Sequence, residues 1–274
     1  MPRDLGAVAK EKALNDMPEL TKSPEDMDER QKRRAPMDAE DDMPQGSLFS
    51  QMVQNNDKRD ELHPYTQTLT ISDVESCTRL EEEAFPPNER ATREKFQYRL
   101  QTCGSLCMGL YTSSSNPSSI PTASTATPVY SGAPSRKAVL LAHIVATKST
   151  HPTVTDADMS IPATYPASFS GVGHNEAGRT VCIQSLAVLP QYQRRGLGTT
   201  LMKAYLQRME SHAIGDRVAL LAHEGMVGFY EGLGFVRQGE SEASFGGGGW
   251  VDMVRELKEG SDESEEDDDD DDDE

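Results

Sequence analysis

Gln193-Arg194-Arg195-Gly196-Leu197-Gly198 is the stretch on which the fold turns, because of what flanks it. Before it runs Thr180-Val181-Cys182-Ile183-Gln184-Ser185-Leu186-Ala187-Val188, β-branched and apolar, which with Arg179 predicts a buried strand over 179–188. After it, Leu197, Leu201, Met202, Tyr205, Leu206 and Met209 recur at helical spacing, with Lys203, Gln207 and Arg208 between them. A strand that enters a helix through Q-x-x-G-x-G is suited to holding a pyrophosphate. Its glycines let the backbone approach closely and take conformations that other residues avoid. The helix start leaves N–H groups unpaired and aimed at an anion, and the helix dipole reinforces them. Two other phosphate loops do not fit. A Walker loop needs a lysine after its last glycine, and here Gly198 meets Thr199-Thr200. A Rossmann turn needs G-x-G-x-x-G and an acid about twenty residues on.

Composition confines the ordered part of the chain. Residues 1–64 hold fifteen acids, ten bases and one aromatic, Phe49, too little apolar surface to offset ordering entropy, so they are predicted to be disordered. Ser261 to Glu274 carries twelve acids in fourteen residues and predicts a solvated tail, placed at 259–274. Without the two termini the net charge of −19 falls to about −2, so the low isoelectric point says nothing about substrate. Thr112 to Arg136 and Ser149 to Gly178 are rich in Ser, Thr, Pro and Gly and predict loop insertions at 112–136 and 149–178. One domain over 65–258 remains. The start of the chain lacks an apolar signal segment and no run is long enough to span a membrane, which predicts a cytoplasmic protein. Lys32-Arg33-Arg34 leaves the nucleus open. Cys77, Cys103, Cys107 and Cys182 show no zinc spacing and read as reduced thiols, with no metal expected.

The element order is β-α-α-β-β-β-α-β-α-β, an α/β fold with a mixed sheet. Tyr65–Thr70 alternates as a strand, and Ser72 with Glu75 predicts a capping box for a helix to about Phe85. Pro86-Pro87 stops that helix, and a second runs over 92–102. Strands follow at 105–111 and 138–147, then the central strand, its loop and helix. Arg217–Ala222 predicts a strand and Val227–Leu233 a short helix. Phe235–Gln238 and Trp250–Arg255 close the sheet.

Leu186-Ala187-Val188-Leu189-Pro190 followed by Q-x-x-G-x-G resembles the acetyl-CoA signature of the GCN5-related N-acetyltransferases (GNATs). Within that superfamily, Glu83 to Arg90 resembles the substrate loop of the arylalkylamine (serotonin) N-acetyltransferase branch. Ala222-His223-Glu224 and Phe229-Tyr230-Glu231-Gly232-Leu233-Gly234-Phe235 resemble the same branch. Gly246-Gly247-Gly248-Gly249-Trp250 and Trp250-Val251-Asp252-Met253 look like its fungal members, which include a yeast polyamine acetyltransferase. The resemblance covers roughly Tyr65 to Lys258. It implies a single GNAT-type domain, with a mostly antiparallel sheet splayed at the central strand and helices on both faces. Leu186, Ala187, Val188, Gln193, Arg194, Arg195, Gly196, Leu197, Gly198, Thr199 and Tyr230 would hold acetyl-CoA as co-substrate.

The chemistry follows from what amide formation needs. A primary amine with a reference pKa near ~10.4 must lose a proton before it attacks a thioester. The oxyanion then needs donors, and the departing thiolate needs a proton. The resemblance implies a backbone N–H of the central strand as oxyanion donor, near Leu186 to Val188, with Val188 foremost. It implies Tyr230 as the acid. It also places histidines on the central strand at the positions of Cys182 and Gln184, so the family's base is not carried over. Side chains alternate along a strand, so Cys182 and Gln184 share a face toward the cleft. Gln184 can hold a relaying water, and His143 or His223 can feed a water chain. Phe85, Pro86 and Pro87 are expected to line the amine site with His143, and Glu81, Glu82, Glu83 and Glu89 supply acids for a cationic amine or form a solvated helix face.

The expected partner is a small amine, arylalkylamine or polyamine, met by a monomer with no nucleic acid or membrane. Two alternatives stand beside this: a protein or peptide N-acetyltransferase, and a catalytically weak acetyl-CoA-binding interaction module.

Overall fold

A computed structural model describes residues 62–258 except 116–119, 131, 133–134 and 164–170. The predicted disordered terminus, but for residues 62–64, and the acidic tail lie outside the described residues. The first strand, β1 (Tyr65–Thr68), leads into a 3-10 turn at Ile71–Asp73 and then α1 (Val74–Ala84). The cap sits two residues earlier than the predicted Ser72/Glu75 box: the Asp73 carboxylate accepts from the Thr70 N–H and hydroxyl, each at 2.8 Å. Glu75 is instead spent on an ion pair with Arg93 at 2.5 Å. Helix α2 (Arg93–Cys103) starts where the Thr92 hydroxyl accepts the Lys95 N–H at 3.4 Å.

The strands β2 (Met108–Ser114), β4 (Lys137–Ser149), β5 (Thr180–Val188), β6 (Arg217–Ala222), β7 (Val236–Glu240) and β8 (Val251–Glu256) continue the sheet. Its order is β1-β2-β4-β5-β6-β8-β7, with the two-residue β3 (Thr127–Pro128) paired to β4. Every pairing is antiparallel except β5 with β6. A parallel pair needs a long crossover, and α4 (Leu197–Ser211) supplies it. Helices α1 and α2 pack on each other and on β4, while α4 packs on β2, β4 and β5. Phe96, Leu80, Leu140, Ile144, Leu201, Met202 and Tyr205 are fully buried between these layers.

Both insertions carry more structure than their composition suggests. In the first, the buried Thr122 hydroxyl donates to Leu140 O at 2.6 Å, and β3 pairs with Lys137 and Ala138. In the second, a single helical turn, α3 (Asp156–Met159), is closed by Thr155 and Asp158 capping each other. Gly178, at its exit, lies flat on the backbone of Ser149: a Cβ there would stand 2.3 Å from Ser149 O.

Candidate active site

The site begins where two strands part. β5 and β6 are bonded only from Thr180 to Ile183, against Arg217 to Leu220. Beyond this the partner strands diverge, and β5 runs on to Val188 bonded only to β4. At the same point β5 carries a bulge: Ser185 faces Val145 and Ile183 faces Ala146, which leaves Gln184 as the extra residue. The bulge breaks the simple alternation. Gln184 and Ser185 are neighbours in sequence, yet both line the cleft.

Hydrogen bonding fixes which amides face the opening. The Leu189 N–H donates to Leu141 O at 3.0 Å. Direction alternates along an antiparallel strand, so Ala187 also points at β4, whereas Leu186 and Val188 turn their N–H groups into the split. On that side Val188 O accepts from Gln193 Nε2 at 3.0 Å, which moors the loop to the strand.

The loop then folds back on itself. Arg194 has φ 58° and Gly196 φ 80°, the second of these a left-handed position suited to glycine. The first helical bond of α4 runs from the Thr200 N–H to Gly196 O at 2.9 Å. The N–H groups of Leu197, Gly198 and Thr199 precede that bond and have no partner within the helix. All three residues line the cleft, as do Gln193, Arg194 and Gly196. Arg195 stands outside it, its guanidinium 5.5 Å over the Tyr192 ring. A Cβ on Gly198 would meet Val188 at 3.5 Å and Phe229 at 3.8 Å, ordinary contact distances, so the bare glycine leaves a gap about one carbon wide above those side chains.

A third wall comes from α5 (Val227–Glu231), which carries Tyr230 into the cleft. The ring is wedged edge-on between Phe229 at 5.0 Å and Phe235 at 5.7 Å. Burial pushes its phenol well above the ordinary value, so it is held as a proton donor and not as a base.

At the family's histidine positions the register does set Cys182 and Gln184 on one face, opposite Thr147 and beside it. Only Gln184 reaches the cleft. Cys182 is fully buried against Val154, Met159, Ala219 and Val254, and burial pushes its thiol far up. That corrects its place as a candidate base: Cys182 does not line the cleft, and burial favours its neutral thiol. Gln184 is clamped, its carbonyl accepting from Arg99 Nη2 at 2.8 Å and its amide donating to Thr147 at 3.0 Å. Arg99 Nη2 also reaches Met159 O at 3.0 Å.

His143 is fully buried and does not line the cleft. Its Nε2 lies 3.1 Å from Ser185 Oγ and 3.3 Å from Glu81 Oε1. Glu81 and Ser185, which hydrogen-bond each other, do line it. Sequence reasoning had not singled out Ser185, and had left Glu81 as one of four acids.

The far end of the cleft is aromatic and acidic. His223 lies over Trp250 with ring centres 4.2 Å apart and meets Glu89 at 2.9 Å. Trp250 Nε1 donates to Phe245 O at 2.7 Å, and Lys95 sits 4.8 Å over the Phe245 ring. This wall is strapped from the second insertion: Asp156 accepts from the Ser244 N–H at 3.0 Å, the Ser244 hydroxyl at 2.6 Å and the Phe245 N–H at 2.9 Å. Phe85 and Glu89 line the cleft, whereas Pro86 and Pro87 stand exposed outside it and only shape the turn. The whole cleft encloses about 790 Å³. Among the described residues no cluster of His, Cys, Asp and Glu could hold a metal ion, and no helix is long and apolar enough to cross a membrane.

Comparison with known proteins agrees with this architecture. Residues 137–257 match the family model of the acetyltransferase (GNAT) domain. The serotonin N-acetyltransferase of Mesocricetus auratus is 28% identical over 85 residues, which is 31% of this chain and 41% of that protein. The match therefore spans less than half of that relative's length. Among solved structures, the GphF GNAT-like decarboxylase in complex with isobutyryl-CoA superposes with a TM-score of 0.50 at 16% identity, over 71% of this chain and 100% of the other. The loading GNATL domain of CurA from Lyngbya majuscula does so with a TM-score of 0.50 at 13% identity, over 71% and 98%. At these identities the likeness is one of fold. Residues 62–258 form a single α/β domain of GNAT-type fold, with a mixed, mostly antiparallel sheet opened at its central strand.

Proposed function

We propose that this chain is an acetyl-CoA-dependent N-acetyltransferase acting on a small primary amine. The observation that carries the reading is the continuity of one cleft. It runs from the bare amides of Leu197, Gly198 and Thr199, past the inward N–H groups of Leu186 and Val188, to the acidic and aromatic wall of Glu89, His223 and Trp250. The residues suit acetyl-CoA. Helix-start amides and a left-handed glycine favour a diphosphate, and Gly198, lacking a side chain, leaves the floor beside Val188 and Phe229 open to a narrow chain.

Acetyl-CoA supplies the activated acetyl thioester. The rest falls to the chain. The amides of Leu186 and Val188 stabilise negative charge developing on the carbonyl oxygen, the kind of preorganised donor that contributes most in a site with little water. Tyr230 delivers the proton that the departing sulfur needs. Glu89, with Trp250 and Phe245 beside it, attracts a cationic amine with an apolar body.

Arylalkylamines are the favoured class, because two aromatic rings and Phe85 face the acid at that end of the cleft. The partial likeness to a serotonin N-acetyltransferase points the same way. A polyamine is the second reading, favoured by two separate carboxylates, Glu81 and Glu89, along the cleft. Tryptamine, phenylethylamine, spermine and a basic peptide, each assayed for release of free coenzyme A, separate these. Turnover is expected to be fastest with tryptamine or phenylethylamine. A preference for the peptide would move the chain to protein acetylation, and acetyl-CoA binding without turnover of any amine would make it an interaction module.

A further inference from the structure

The family's base positions are taken by a buried thiol and a clamped amide, so the proton of the incoming amine needs another acceptor. We propose that Ser185 and Glu81, aligned by His143, form a proton relay that takes it. The proposal rests on the N-acetyltransferase reading above.

The three side chains come from three elements. Glu81 is on α1, His143 on β4 and Ser185 on β5, one residue past the bulge. That bulge is what sets Ser185 beside Gln184 and in the cleft, on the face shared with His143 and directly before the N–H of Leu186. A strand advances about 3.3 Å per residue, so the relay begins within one residue of the amide proposed to face the thioester oxygen.

The hydrogen bonds have a direction. The Ser185 hydroxyl donates to Glu81 Oε1, and the Ala91 N–H donates to Glu81 Oε2 at 3.3 Å. His143 Nδ1 is buried and finds no partner among the described residues. A proton there would leave a buried donor unsatisfied. The geometry favours the tautomer with its proton on Nε2, which donates toward Ser185 and Glu81. Phe96, edge-on at 5.4 Å, holds the ring in that orientation. With its own proton on Glu81 and one lone pair filled by His143, Ser185 Oγ keeps a second lone pair for an amine N–H in the cleft.

The transfer balances. An ammonium proton passes to Ser185 Oγ while the Ser185 proton passes to Glu81 Oε1, leaving the free amine, an intact serine and a neutral Glu81. The amine lone pair then forms the N–C bond as the C–S bond breaks. The second nitrogen proton leaves with solvent, the sulfur takes its proton from Tyr230, which recovers one from solvent, and Glu81 returns its proton to the open cleft. His143 touches no substrate and is a positioning residue. The charged or titratable groups around Glu81 are Lys95 and Arg99 on α2, Cys77 on α1 and His143 on β4.

The test compares Ser185→Ala and Glu81→Gln with the parent full-length chain, on tryptamine and phenylethylamine from pH 6.5 to 10. Without the relay, only amine already neutral in solution can react. With an amine pKa near ~10, that fraction rises about tenfold per pH unit. Both variants are expected to lose about 10²–10³ in kcat/KM at pH 7. They should recover most of it by pH 10, with acetyl-CoA affinity unchanged and a cooperative melt lowered by only a few degrees. Nitrogen-15 spectra of the unliganded chain should show His143 protonated on Nε2. A variant that keeps the parent's rate or pH profile, a loss equal at every pH, or His143 protonated on Nδ1 would overturn the relay. If the parent itself turns over no amine, the N-acetyltransferase reading falls first and takes the relay with it. An active parent with unaffected variants removes the relay alone.

Discussion

A Tyr230→Phe chain is expected to lose about 10²–10⁴ in kcat while binding acetyl-CoA as tightly as the parent. Phenylalanine keeps the ring between Phe229 and Phe235 and removes only the hydroxyl. The packing that holds α5 against the sheet therefore survives, and the melting temperature should not move. What is lost is the proton for the departing sulfur. Burial raises the phenol above its usual ~10, so the parent should show no alkaline fall in kcat due to Tyr230 through pH 10. A kcat within threefold of the parent's would remove Tyr230 as the acid. So would a parent profile that collapses above pH 8.5 and is flat in Tyr230→Phe.

Arg99→Ala is expected to be the most damaging single change to stability at the site, by about 3–5 kcal/mol. The guanidinium is 1% exposed and supplies hydrogen bonds to two buried acceptors, Gln184 Oε1 and Met159 O. Truncation leaves both acceptors without their donor, each worth about 1–3 kcal/mol. It also opens a cavity where the stem lay beneath β5. In a domain of this size each kcal/mol lowers the melting temperature by about 2–4 °C, so scanning calorimetry should register a fall of roughly 6–20 °C. Arg99→Met keeps most of the volume but removes the same donors, so it should fall by less than Arg99→Ala and still by several degrees. If Arg99→Ala melts within 2 °C of the parent, Arg99 does not carry the bulged strand.

These two residues show where sequence was a good guide. Tyr230 stands in a local pattern, Phe229 to Phe235, and the strand, loop and helix from Thr180 to Ser211 could be recognised for the same reason. Periodicity and glycine positions are contained in a single stretch of chain. Arg99 was legible too, in hindsight. Phe96, Arg99, Leu100 and Cys103 share one helical face, and a cation on an apolar face signals a buried partner. Glu81 gave a similar signal: it stands four and seven residues after the buried Cys77 and Val74, on the inward face of α1, whereas Glu82 and Glu83 beside it are exposed.

The bulge was hidden. Which residue of β5 is extra depends on its register against β4, and nothing within 180–188 fixes that. The register adds Ser185 to the cleft face, while Cys182, on that same face, is kept from the cleft by Val154 and Met159 packed against it. The short structured pieces within the insertions were hidden for a related reason. Composition favoured loops, but single tertiary contacts decide their structure: Thr122 on Leu140, and Asp156 on Ser244 and Phe245. The last of these brings residues almost ninety positions apart into one cleft wall.

The account depends on the turn at Gly196 aiming main-chain amides at the diphosphate of acetyl-CoA. Titration calorimetry of acetyl-CoA into the full chain tests it directly, with Gly196→Val alongside. A β-branched residue at φ 80° costs about 1–3 kcal/mol of strain or moves the turn. The expected result is one acetyl-CoA per chain, with affinity about tenfold or more weaker in a Gly196→Val chain that still melts cooperatively. No heat of binding in the parent, or equal affinity in the two, would contradict it.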